Sequence, residues 1–147
     1  MRILTVIMTA LLATLFAAAG ERAKGNDDMS TAILLKFDGE ELTVRLNDSP
    51  ASRDFIAMLP MTLAFRDYNA TEKISDLPQR LSVDGSPPGC TPSAGDFTYY
   101  APWGNLAVFY RDFRYGSGLI PLGAIESGVE KLASMQGEFS VHVEVKQ

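Results

Sequence analysis

Residues 95–123 read GDFTYYAPWGNLAVFYRDFRYGSGLIPLG, and this run limits the possible folds more than any other part of the chain. Two short aromatic strands, 97–101 and 106–110, flank a Pro102-Trp103-Gly104-Asn105 turn. Proline and glycine together close a tight connection, so the two strands are expected to pair antiparallel. Alternation puts Phe97, Tyr99 and Ala101 on one face and Thr98 and Tyr100 on the other. One of the two adjacent tyrosines must therefore leave the core, and we expect it to be Tyr100, beside Trp103 and Asn105.

The same period of two recurs along the chain. Ile33, Leu35 and Phe37 alternate with Ala32, Leu34 and Lys36, and after Asp38-Gly39 the pattern resumes at Leu42, Val44 and Leu46. An Asp-Gly between two such runs is a hairpin signal. Ser49 and Pro50 supply an N-cap and a first-turn proline for a helix of about ten residues that Pro60 stops. Strands are expected at 62–68, 73–77 and 79–83, with 67–72 as a loop joining strands. Residues 84–96 form a turn-rich connection, 119–125 a buried strand, 127–135 a second helix and 138–146 a closing strand. About eight short strands and two helices describe a mainly β domain, a closed antiparallel barrel with helices capping its ends.

The N-terminus reads differently. Met1-Arg2 is followed by an apolar stretch from Ile3 to Phe16 and then by Ala17-Ala18-Ala19, the pattern of a secretory signal peptide over 1–19. A stretch of about 14 residues falls short of the roughly 20 that span a bilayer. Residues 20–30 are polar and aperiodic, a disordered spacer, and the domain is expected over 31–147. The expected product is exported, periplasmic or secreted, without stable membrane insertion once the signal is removed.

Thirteen basic and eighteen acidic residues give a net charge of −5, with no Lys/Arg cluster, which argues against a nucleic-acid partner. Cys90 is the single cysteine and His142 the single histidine. One thiol forms neither an internal disulfide nor a multi-cysteine metal site. One imidazole, which alternation points away from the core, leaves Ser-His-Asp and Cys-His catalysis and His-rich metal sites without their parts. No phosphate-binding glycine motif occurs, since Gly85-Ser86-Pro87-Pro88-Gly89 lacks the Lys-Ser/Thr that would follow. We expect neither cofactor nor metal.

Several spaced blocks carry a resemblance: the 95–123 run, Met58-Leu59-Pro60-Met61-Thr62-Leu63, Asp67-Tyr68-Asn69, Thr71-Glu72-Lys73-Ile74 and Leu77-Pro78. Over 33–145 the chain resembles the bacterial cyclophilin-like domain family, and the resemblance implies the cyclophilin-type barrel. It also suggests prolyl isomerisation. Active cyclophilins carry a Phe-His-Arg strand and a Gln-Phe-Phe segment, whereas the corresponding strand here is Leu63-Ala64-Phe65-Arg66-Asp67. The reading is therefore a non-catalytic module binding a small ligand or peptide through Phe65, Tyr68, Glu72, Lys73, Tyr100, Trp103, Asn105, Phe109 and Phe113. Glu72 and Lys73 enter as members of a family block, with a solvated ion pair as the plainer alternative. The second reading is an atypical peptidyl-prolyl isomerase, with Arg66 polarising the prolyl amide and Phe65, Phe109 and Phe113 lining its pocket. A third, a flavodoxin-like redox partner, follows only from the company that related domains keep.

Overall fold

The computed structural model describes residues 30–147. The expected signal peptide lies outside the described residues, as does all of the expected spacer but Ser30. The chain begins with β1 (Thr31–Phe37) and β2 (Glu40–Leu46), joined by the expected Asp38-Gly39 turn, where both residues have positive φ. Helix α1 (Pro50–Ala57) follows, shorter than expected, with the Ser49 hydroxyl accepting from the Ser52 N–H at 3.1 Å. Strands β3 (Met61–Tyr68) and β4 (Glu72–Asp76) come next, then β5 (Gly89–Cys90), β6 (Asp96–Tyr100) and β7 (Asn105–Phe109). The chain ends with β8 (Gly116–Ser117), β9 (Leu119–Ile125), α2 (Val129–Ala133) and β10 (Phe139–Val145).

Eight of the strands close a barrel in the order β1-β10-β3-β4-β7-β6-β9-β2, every neighbouring pair antiparallel. Inward residues at alternate positions fill it, among them Ile33, Leu35, Val44, Phe65, Leu106, Val141 and Val143, all fully buried. The helices stop the two mouths. α1 sits where β2 ends and β3 begins and sends Phe55 inward, edge-on to Phe97 at 5.6 Å. α2 lies at the opposite mouth with Leu132 buried.

Two expected features differ. Residues 79–83 are not a strand, because Pro78 interrupts the ladder and the segment turns across the mouth beside α1. There Leu81 is buried, its N–H reaching the Tyr99 hydroxyl at 3.3 Å, and the Ser82 N–H reaches Asp54 at 2.7 Å. Residues 67–72 are not a loop but the tip of the β3–β4 hairpin. Only Asn69, Ala70 and Thr71 turn, the first two with φ of 55° and 51°, so Asp67 and Tyr68 belong to one strand and Glu72 to the next.

The connection 84–96 contains β5, which pairs with β8 in a two-stranded ribbon outside the barrel. The Gly118 N–H donates to Pro88 O at 2.8 Å and the Phe113 N–H to Pro92 O at 3.0 Å. Gly89 and Gly116 pass so close that a Cβ on Gly89 would collide with the Gly116 carbonyl. The connection is thereby fixed to the 110–118 segment, and together they stand over the outer face of the sheet.

Candidate functional site

Strand alternation gives β4, β7 and β9 an outward set of side chains as well as an inward one. The outward Ile74, Ala107, Phe109 and Leu119 are buried all the same, with Cys90, Tyr100 and Phe113 packed on them. This second apolar cluster floors a groove of about 390 Å³ on the barrel's outer surface, within the range of small-molecule sites. One wall is aromatic. The exposed Trp103 indole meets Tyr68 at 5.6 Å and Tyr100 at 5.3 Å, both edge-to-face. The other wall is the 113–117 segment, where Phe113 stacks on Phe109 at 6.4 Å and Arg114 lies over the Phe113 ring at 4.7 Å.

Of the residues singled out from sequence, the structure brings Tyr68, Glu72, Tyr100, Trp103, Asn105, Phe109 and Phe113 together around this groove. Three others lie elsewhere. Phe65 is at an inward position of β3, fully buried and stacked on Phe139 at 6.0 Å, so it is a core residue and not a pocket residue. Arg66 is on the outer face but does not line the groove, and its guanidinium points towards Asp76 at 3.8 Å.

Lys73 points into the barrel, because its neighbour Glu72 points out. It is 2% exposed, and its Nζ donates to Met135 O at 2.6 Å and pairs with Asp67 at 3.2 Å. It also lies 5.3 Å from the Tyr110 ring and 5.8 Å from that of Phe139. Glu72 and Lys73 are therefore not the solvated ion pair that their adjacency suggested.

Around Asp67 burial opposes ionisation, but hydrogen bonds from Tyr110, Lys73 and the Ala70 N–H outweigh it and hold the carboxyl below its usual range. Burial first, and the bond to Asp67 second, push the Tyr110 phenol up to about 12. Glu72 has the opposite fate. Partial burial among aromatic rings and the nearby Asp67 charge raise it to about 7. Asn105, at the start of β7, is 2% exposed. Its Nδ2 donates to Leu106 O at 2.8 Å, while its Oδ1 has no partner among the described residues.

Ile74, Ala107, Arg114, Tyr115, Gly116, Ser117 and Leu119 complete the lining; Tyr115 is one of several tyrosines of a type common at recognition surfaces, but none of the seven had been assigned to binding. The outward alternation of β4 and β7 carried a signal for Ile74 and Ala107. Nothing local marks 114–117, because they reach the groove only through the β5–β8 ribbon. No histidine or cysteine lines the groove, and His142 lies on β10 between Thr62 and Glu144, at 3.2 Å from each. The described residues contain no group of His, Cys, Asp and Glu able to hold a metal ion.

What these residues build is a closed antiparallel barrel carrying an aromatic groove on its outer wall. The chain matches the profile of the Cyclophilin-like family over residues 35–144, and it belongs to that family. No match is found among the curated proteins. Among solved structures it is similar to the solution structure of a hypothetical protein from Archaeoglobus fulgidus, with a TM-score of 0.61 and 18% identity, over 83% of this chain and 99% of that one. At that identity the likeness is one of fold.

Proposed function

We propose that this protein is a binding module that holds a small ligand or peptide in the outer groove without transforming it. The observation that carries the reading is a preformed apolar floor beneath an exposed tryptophan held edge-on by two tyrosines. An exposed Trp103 that serves only packing would gain little, whereas aromatic anchors of this kind dominate recognition surfaces. The apparent signal at 1–19 supports export, and a signal-fusion reporter compared with a 1–19 deletion tests it.

Arg114 favours one second reading. A guanidinium next to an apolar pocket is the arrangement that prolyl isomerisation needs, and here Arg114 stands nearer the pocket than Arg66. One experiment separates the two. A proline-containing tetrapeptide is titrated while the fluorescence of Trp103, the chain's single tryptophan, is followed. The same peptide is then used in a protease-coupled isomerisation assay with wild type and Arg114→Ala. A saturable fluorescence change without rate acceleration supports the binding module. Acceleration that Arg114→Ala removes would replace it with an isomerase. No fluorescence change with this peptide or with any small molecule that native mass spectrometry finds copurifying would overturn the groove as a ligand site.

A further inference from the structure

Glu72 is the one carboxylate in the lining of the groove, and it has neither a hydrogen bond nor an ion pair among the described residues. Its Cα partners are Tyr68 on β3 and Phe109 on β7, so aromatic rings flank it on both sides. The cations near it are engaged elsewhere: Lys73 inside the barrel with Asp67 and Met135, Arg66 towards Asp76, Arg114 on the Phe113 ring. A second acceptor in the same groove, Asn105 Oδ1, is also unmatched, although the residue is almost wholly buried. Buried acceptors without partners are costly, and the unpaired carboxylate among them marks a place where a ligand cation gains most.

The aromatic wall has the same preference. Ring faces carry negative potential, and a cation within about 6 Å of a ring centroid is attracted to it. Arg114 already uses Phe113 in this way at 4.7 Å, so the groove holds one organic cation of its own.

We propose that the groove selects a small organic cation, an alkylammonium with apolar substituents, seated between Glu72 and the Tyr68–Trp103–Tyr100 aromatics. This rests on the reading of the groove as a ligand site and adds the charge of the ligand. Arg114 argues for the opposite sign, an anion, but its side chain is exposed and therefore screened, whereas Glu72 is half withdrawn from water. The overall charge of −5 also favours approach of a cation.

A bound cation stabilises the ionised form of Glu72, so affinity rises with pH as Glu72 ionises near 7, and binding near neutrality releases a proton. The other titratable and charged groups facing it are Tyr68 and Asp67 on β3, Tyr110 after β7, and Arg114 and Tyr115 in the 113–117 wall. Asp67 is already ionised in this range and the Tyr110 phenol is neutral, so neither supplies a transition between pH 6 and 8.

Three probes of nearly one shape test the inference: choline, its neutral isostere 3,3-dimethylbutan-1-ol, and the anion 3,3-dimethylbutyrate. Each is titrated by calorimetry and by Trp103 fluorescence at pH 6 and pH 8, against wild type and Glu72→Gln. We expect choline to bind at least about tenfold more tightly than the alcohol at pH 8, with the margin shrinking at pH 6. Glu72→Gln should abolish the margin, so that choline binds the variant no more tightly than the alcohol does at either pH. Equal binding of choline and alcohol would overturn the charge preference and leave the ligand groove standing. Preference for 3,3-dimethylbutyrate would overturn it in favour of an anion held by Arg114. Silence from all three probes would also overturn it, while the tetrapeptide titration decides separately whether the groove binds ligands at all.

Discussion

Along β4, β7 and the start of β9 the inside and the outside of the sheet are both buried, but they are finished differently. Inside, eight strands close on themselves, and even the one lysine there is met by a carbonyl, a carboxylate and two aromatic rings. Outside, Ile74, Ala107, Phe109 and Leu119 are covered only by a two-residue ribbon and the chain on either side of it. Glu72 and Asn105 are left without full partners there. Glu72 and Lys73 are adjacent in sequence, and the strand period alone sends one to each environment. The contrast indicates that stability and recognition are carried by alternate residues of the same strands, so substitutions should separate the two.

The largest effect is expected inside. Phe65→Ala removes a fully buried ring stacked on Phe139 and should cost about 3 to 5 kcal/mol in urea denaturation. If instead it weakened ligand binding at unchanged stability, the division between the faces would fail.

Lys73→Met tests the same face with a polar group, and should cost roughly 1 to 3 kcal/mol by leaving Met135 O without its donor and Asp67 with only Tyr110 and the Ala70 N–H. It has a pH signature as well. The folded-state pKa of Asp67 is depressed, so its contribution is present above the unfolded carboxylate pKa and is lost as pH falls through the folded value. In the variant this acid-side loss should be smaller, as read from melting temperatures across the acid range.

Trp103→Ala addresses the outer face. The indole is 56% exposed and makes two edge-to-face contacts, so stability should change by less than about 1 to 2 kcal/mol. Ligand affinity should fall about tenfold or more. Calorimetry reads both the binding and its enthalpy without needing the tryptophan signal. A large stability loss with unchanged affinity would make Trp103 part of the packing instead.

Much of the barrel was legible because hairpin turns and alternation are local. Asp38-Gly39, the Ser49-Pro50 helix start and the 119–125 strand needed no distant information. The groove was legible only in part. Outward aromatic residues such as Tyr100 could be named from alternation, but Phe65 could not be assigned to the inside without knowing which face of β3 the barrel encloses. Residues 114–117 were invisible because their placement depends on the pairing of Gly89 with Ser117 and Cys90 with Gly116, contacts that no local pattern encodes. Lys73 was misread for a related reason: a buried lysine is rare, and the Met135 carbonyl beyond α2, the Asp67 carboxylate and two rings that make it tolerable are brought together only by the fold.

The smallest effect bears most directly on the comparison. Glu72 has its folded pKa raised from 4.5 to about 7, so between those values the folded state holds more protons than the unfolded chain, and stability falls as pH rises through that window. Glu72→Gln is neutral at every pH. Near pH 4 both proteins carry an uncharged group, and their stabilities should nearly agree. At pH 8 the variant should be more stable by about 1 kcal/mol, a figure reduced for solvent screening at a half-exposed site. Chemical denaturation at the two pH values checks this. A variant less stable than wild type at pH 8 would mean that Glu72 has a partner in solution, and the two faces of the sheet would then be finished alike.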